Sequence, residues 1–199
     1  MTSVDISKDA LDVLKLNAEK VGISINAIQS NLFSKISESY DIITANPPYL
    51  SDICNIPSEV RNLIDQGSRD VIWFQGVLGG EPSIAMVAGE NGFEYYRKIT
   101  QKLDSHLKQK GLAVLEFGGE SQQEEVNSII QSNLHEVETY YLYSSKKASP
   151  RAAFIFRGFS TNEIEQATPK VLRLIPNIQN QISKTRFNIC HPSISKLEN

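Results

Sequence analysis

The period of the apolar positions changes several times along this chain. Ser3-Val4-Asp5 reads as the last residues of a strand whose beginning lies outside the sequence. Ser7 is placed to cap a helix, with Asp9 favourable near its positive end. Leu11, Leu14, Ala18 and Val21 then share one helical face, and Gly22 is placed to close that helix. Ile23, Ile25 and Ala27 alternate as a strand does, and Leu32-Phe33 falls in a loop. Asp41-Ile42-Ile43-Thr44-Ala45 is rich in β-branched residues and bounded by breakers, which predicts a short buried strand. Strand, helix, strand, loop, strand is the order of a parallel sheet wound by helices.

The second half continues the pattern. Phe93, Tyr96, Ile99, Leu103 and Leu107 make a helical stripe that Gly111 would close. Leu112 to Phe117 is almost continuously apolar, as a central strand requires. Residues 122–132 predict a helix. The alternation of Val137, Thr139, Tyr141 and Tyr143, followed by the apolar run 152–156, predicts an antiparallel hairpin at the sheet edge. The tail, residues 160–199, is rich in Asn, Gln, Ser and Ile and carries Pro169, Pro176 and Pro192. It reads as a polar extension, loosely ordered in large part, with a short helix near 175–182.

Composition narrows the function classes. A chain of 199 residues supports one substantial core. A net charge of −3 gives no general attraction to nucleic acid phosphates. No apolar run is long enough to cross a bilayer as a helix. Cys54 and Cys190 are isolated, and His106, His135 and His191 are dispersed, so no metal site is expected.

The chemistry concentrates after the Asp41–Ala45 run. Asn46-Pro47-Pro48-Tyr49 ends that strand abruptly, because proline cannot donate to a ladder and has a fixed φ. The result is a stiff tip with an amide, free carbonyls and an aromatic ring. Such a set suits a planar –NH2 group, whose hydrogens need acceptors and whose face needs a π surface.

This motif resembles that of class I S-adenosylmethionine-dependent methyltransferases acting on planar nitrogens. Glu81-Pro82-Ser83-Ile84-Ala85-Met86 and Gly89-Glu90-Asn91-Gly92-Phe93, with Val4-Asp5-Ile6-Ser7 and Leu115-Glu116-Phe117-Gly118 in order, resemble the HemK-type release factor glutamine methyltransferases. The resemblance covers roughly residues 2 to 157. It implies a Rossmann-like α/β sheet with an antiparallel C-terminal hairpin and S-adenosyl-L-methionine as cofactor. It also implies a release factor partner methylated on the glutamine of its Gly-Gly-Gln loop. Asn46, Pro47, Pro48 and Tyr49 would hold the amide and carry catalysis, with Glu81 and Pro82 beside the substrate. Asp5 would bind the ribose, and Asn31 and Leu32 the adenine, with Asn46 also near the cofactor. Asn31 stands where the family usually has aspartate, Ala88 where it often has glycine, and Val87 where it often has aspartate. Glu116 would support the floor of the site or serve as a buried structural carboxylate.

The same resemblance implies that the family's first strand, its glycine-rich loop and its small helical domain belong upstream of Met1. The chain alone is then expected to bind the cofactor weakly or not at all, to be poorly stable and to be inactive as a fragment. Expected domains are a partial catalytic domain over 1–159, with an insertion or an unspliced stretch over 62–80, and a polar extension over 160–199. A monomer with no membrane or direct nucleic acid contact is expected. The location would be mitochondrial in a eukaryote or cytoplasmic in a bacterium. Two other functions stay open at this point: methylation of DNA adenine or RNA guanine, and a non-catalytic remnant or binding module.

Overall fold

The computed structural model describes residues 1–51, 83–89, 91–144, 149–166 and 188–190. The 62–80 segment, Glu81, Pro82 and the helix expected near 175–182 lie outside the described residues. The chain forms two compact units, Met1–Ser39 and Tyr40–Asn199.

The first unit is a parallel βαβ element. Strand β1 (Thr2–Asp5) pairs in parallel with β2 (Asn26–Gln29), and helix α1 (Lys8–Lys20) connects them. Ser7 caps α1 as its sequence position predicts, its Oγ accepting from the Ala10 N–H at 3.2 Å. At the other end Gly22 adopts φ +70°. The Ile23 N–H reaches back to the Ala18 carbonyl at 2.9 Å, and that of Gly22 to Glu19 at 3.1 Å. This is a Schellman closure, which needs the left-handed conformation glycine adopts without strain. It also explains why the second strand starts later than the alternation predicts. The Ile23 N–H is already used by the helix and cannot enter a ladder, so β2 begins only at Asn26. Leu11 and Ala18 are buried, whereas Val21 is 67% exposed, so the apolar face ends one turn early.

In the second unit, β3 (Tyr40–Ala45), β4 (Leu107–Glu116), β5 (Val137–Ser144), β6 (Ser149–Arg157) and β7 (Asn188–Cys190) form a sheet in the order β3-β4-β6-β5-β7. β3 and β4 are parallel; β6 runs antiparallel to both β4 and β5, and β7 antiparallel to β5. Among the described residues it is accompanied by α2 (Ser83–Met86), α3 (Glu94–His106) and α4 (Glu120–Asn133), with a further helical turn at 161–166. The core is made by Tyr96, Ile99 and Leu103 of α3 and by Val126 and Ile130 of α4. They meet Ala113 and Leu115 of β4, Tyr141 of β5, and Ala153 and Ile155 of β6, all nearly or fully inaccessible. Each large member is worth about 1.5–3 kcal/mol of burial.

Three expectations change here. The Asp41–Ala45 run is a strand but not a buried one: among the described residues β3 pairs only with β4, and Ile42 is 64% exposed. Helix α3 stops at His106, and Leu107 opens β4 rather than a final helical turn. Arg157 supplies the physical reason. Its guanidinium donates to the Leu107 carbonyl at 2.7 Å and to the Asp104 carbonyl, and pairs with the Asp104 carboxylate at 2.7 Å. The terminal carbonyls are thus satisfied, and the cation opposes the negative helix end. Finally, the C-terminal region contributes β7 to the sheet and buries Ile164, so the predicted hairpin is flanked rather than at the edge.

Candidate functional site

The residues expected on the cofactor side belong to the first unit, at the C-terminal ends of its two strands. Asp5 is the last residue of β1 and is exposed. Its Oδ1 accepts from the Ser7 N–H at 2.7 Å, and among the described residues Oδ2 has no hydrogen bond. The turn beside it is well fixed. The Ser30 N–H donates to the Asp5 carbonyl at 2.9 Å, and Gln29 Nε2 to the Ile6 carbonyl at 3.0 Å.

Ser30 organises the loop that carries Asn31 and Leu32. Its hydroxyl is buried and donates to the Leu32 carbonyl at 3.0 Å. It also accepts from the Lys35 N–H at 3.0 Å and meets Ser34 Oγ at the same distance. Leu32 is held at φ +50°, a left-handed conformation that costs a non-glycine residue about 1–2 kcal/mol. Asn31 remains exposed, with its own carbonyl taken by the Ser34 N–H. A strained leucine beside a buried hydroxyl hub is the kind of over-determined loop found at binding sites.

The residues expected to hold the substrate amide belong to the second unit, at the C-terminal end of β3. Asn46 is exposed, Pro47 is buried, and Pro48, Tyr49 and Leu50 are half-buried. Among the described residues no hydrogen bond engages the Asn46 side chain or the Pro47 carbonyl. Three residues later the backbone is firmly held. The Leu50 N–H donates to the Met86 carbonyl at 2.9 Å, and the Ala88 N–H to the Leu50 carbonyl at 2.8 Å. This forms an isolated parallel bridge between Leu50 and Val87. The Tyr49 carbonyl accepts from Gln122 Nε2 at 2.8 Å, while Gln122 Oε1 accepts from the Gly118 N–H at 2.7 Å. Gly92 and Gly118 pack so closely that a Cβ would lie 2.6 Å from the Tyr49 carbonyl oxygen and 3.0 Å from its ring, respectively.

Glu116 ends β4 with an exposed carboxylate, which removes the buried-carboxylate alternative. Its carbonyl instead accepts from the Tyr96 hydroxyl at 2.9 Å. Burial, then the nearby Tyr49 and Glu116, raise the Tyr96 pKa well above its ordinary value, so this hydroxyl stays a donor. A cleft of about 390 Å³ at the start of α3 is lined by Ala88, Gly89, Asn91, Glu94, Arg97 and Lys98, among others. Its charges are mutually paired, Lys98 with Glu94 and Arg97 with Glu125 at 2.8 Å.

The Gln122 bridge between Gly118 and Tyr49 was not legible from the sequence. The only signal was a glycine at the end of a predicted strand with a glutamine four positions on, and its partner Tyr49 is 73 residues away in the chain.

Residues 1–79 match the methyltransferase small domain. Release factor glutamine methyltransferase of Streptococcus pneumoniae is 37% identical over 118 residues, 59% of this chain and 37% of the relative. Its Haemophilus influenzae namesake is 32% identical over 145 residues, 72% of this chain and 44% of the relative. The chain therefore spans less than half the length of these curated relatives. A methyltransferase from Pyrococcus furiosus superposes with a TM-score of 0.51 at 13% identity, over 79% of this chain and 62% of that structure, which establishes the fold.

The likeness to methyltransferases implies S-adenosylmethionine as cofactor, and the end of β1 has chemistry that suits it. A carboxylate with acceptor capacity to spare sits at the end of β1, as a ribose diol requires. The described residues take a methyltransferase-like α/β fold, and the chain is similar in sequence to the methyltransferase small domain and to the release factor glutamine methyltransferases over the part it spans.

Proposed function

We propose that this chain presents the side-chain amide of a release factor glutamine, in its Gly-Gly-Gln loop, for methylation. One observation carries the reading. Among the described residues nothing hydrogen-bonds to the Asn46 side-chain oxygen or the Pro47 carbonyl, at a strand end whose continuation, Tyr49–Leu50, is fastened by three hydrogen bonds. When bound, S-adenosylmethionine supplies an electrophilic methyl group. Asp5 would hold its ribose, with Asn31 and the Leu32 backbone at the adenine. An amide nitrogen is a poor nucleophile because its lone pair is delocalised into the carbonyl. The work of the protein is therefore orientation. Asn46 Oδ1 and the Pro47 carbonyl accept the two amide N–H bonds and hold them in one plane, and Tyr49 covers the amide face. Such positioning contributes up to about 7–11 kcal/mol in favourable cases. Acceptors aimed at a nitrogen that gains positive charge add to it. Asn46 has no useful basicity, so the proton leaves to water.

The net charge of −3 favours a protein substrate over DNA adenine or RNA guanine. Supplying the full-length protein with labelled S-adenosylmethionine and either a release factor or an oligonucleotide tests this. Label on the loop glutamine is the expected result. Label on the oligonucleotide alone would overturn it.

A further inference from the structure

We propose that Gln122 is a positioning residue for this reaction: it sets the placement of Tyr49, and with it the tip that receives the substrate amide. The inference rests on the function proposed above. Gln122 lies in the first turn of α4 and is half-buried. Its planar amide makes one bond from each end, Nε2 to the Tyr49 carbonyl at 2.8 Å and Oε1 from the Gly118 N–H at 2.7 Å. Because both atoms belong to one rigid group, the two bonds together fix the loop after β3 against the loop after β4. Gly118 also limits the Tyr49 ring from below, since a Cβ there would stand 3.0 and 3.2 Å from its ring carbons. The carbonyl and the ring of one residue are thus set by one residue pair. The Leu50–Val87 bridge holds the next residue, so movement at Tyr49 has no outlet except toward Pro48 and Pro47.

The chemistry demanded of position 122 is specific. It needs a donor toward Tyr49 and an acceptor toward Gly118 on one short planar group. Glutamate supplies only acceptors when ionised and would oppose its oxygen to the Tyr49 carbonyl. Protonated glutamic acid supplies both again. Methionine has similar length and supplies neither.

The test compares wild type, Gln122→Glu, Gln122→Met and Asn46→Ala for methyl transfer to a release factor, and for S-adenosylmethionine affinity. For both Gln122 variants we expect kcat/KM to fall 10- to 100-fold, with cofactor affinity within twofold of wild type and a cooperative melt retained. The Gln122→Glu protein should recover relative to Gln122→Met as the pH falls through the glutamate range, a gain that loss of packing alone would not produce. NMR of the wild-type chain should show the Gln122 side-chain amide protons slowed in exchange. Methylation unchanged in both Gln122 variants, while Asn46→Ala is impaired, overturns the positioning role and leaves the function standing. Equal loss in both variants at every pH, or weakened cofactor affinity, also overturns it. Absence of glutamine methylation by the wild type would overturn the function and this role together.

Discussion

Replacing Gly92 by alanine tests the fastening of the Tyr49 segment through steric contact alone. Gly92 is buried at φ +80°, and an added Cβ would stand 2.6 Å from the Tyr49 carbonyl oxygen and 3.3 Å from Gln122 Nε2. Two costs follow. The left-handed conformation costs alanine about 1–2 kcal/mol. Overlap with a backbone oxygen that is itself hydrogen-bonded forces a shift of about 1–3 kcal/mol. The sum, about 2–5 kcal/mol, is a large share of a typical domain stability of about 5–15 kcal/mol. Gly158 supplies the control within the same unit. It has φ +67°, but its Cβ would meet chiefly the far end of the Gln109 side chain, which can swing away. Gly158→Ala should therefore cost only the conformational part. Urea unfolding followed by far-UV circular dichroism reads the difference. Gly92→Ala should unfold at lower urea than Gly158→Ala by about 1–3 kcal/mol, with the Leu50 amide resonance displaced. Equal midpoints, or an unperturbed Leu50 amide, would refute the close packing of Gly92 on Tyr49.

Further outcomes follow from single residues. Asn46→Ala should lower kcat by about 10²–10³-fold with little effect on stability, read by methyl transfer to a release factor. Leu103→Ala, at a fully buried position, should cost about 2–5 kcal/mol by denaturant titration. Tyr96→Phe removes the hydroxyl that serves the Glu116 carbonyl and should cost about 1 kcal/mol. The same hydroxyl, like that of buried Tyr141, has a pKa raised in the fold, so above about pH 10 the unfolded chain loses protons that the folded one keeps. Stability should be full below that pH and fall as pH rises above it, and Tyr96→Phe should flatten the slope. Glu163 shows the opposite sign. Its hydrogen bonds to Lys110 and Ser160 hold its carboxyl down to about 2, so its contribution is present above the ordinary carboxylate range and fades as pH falls toward about 2. Glu163→Gln should reduce that acid dependence in low salt.

Local chemistry made part of this fold readable. The Ser7 cap, the Gly22 closure and the alternation of the β5–β6 hairpin each depend on residues a few positions apart. What failed depended on distant partners. Leu107 continues the helical spacing of Leu103, and only Arg157, fifty residues on, ends the helix before it. A run such as Ile42-Ile43 reads alike in a buried strand and in one paired on a single side, so the exposure of Ile42 was invisible. The strand end before Asn46 was legible because two prolines follow it. The Gln122 bridge was not, because a glutamine in a first helical turn is ordinary until its partner is known.

The measurement closest to the central claim is an NMR titration of the chain with a Gly-Gly-Gln peptide carrying ¹⁵N in the glutamine side-chain amide. Two acceptors at Asn46 and Pro47 predict that both amide protons move downfield on binding, and that one of the two returns toward its free position in Asn46→Ala. Binding that leaves both protons at their free shifts, or shifts unaltered by Asn46→Ala, would contradict the account.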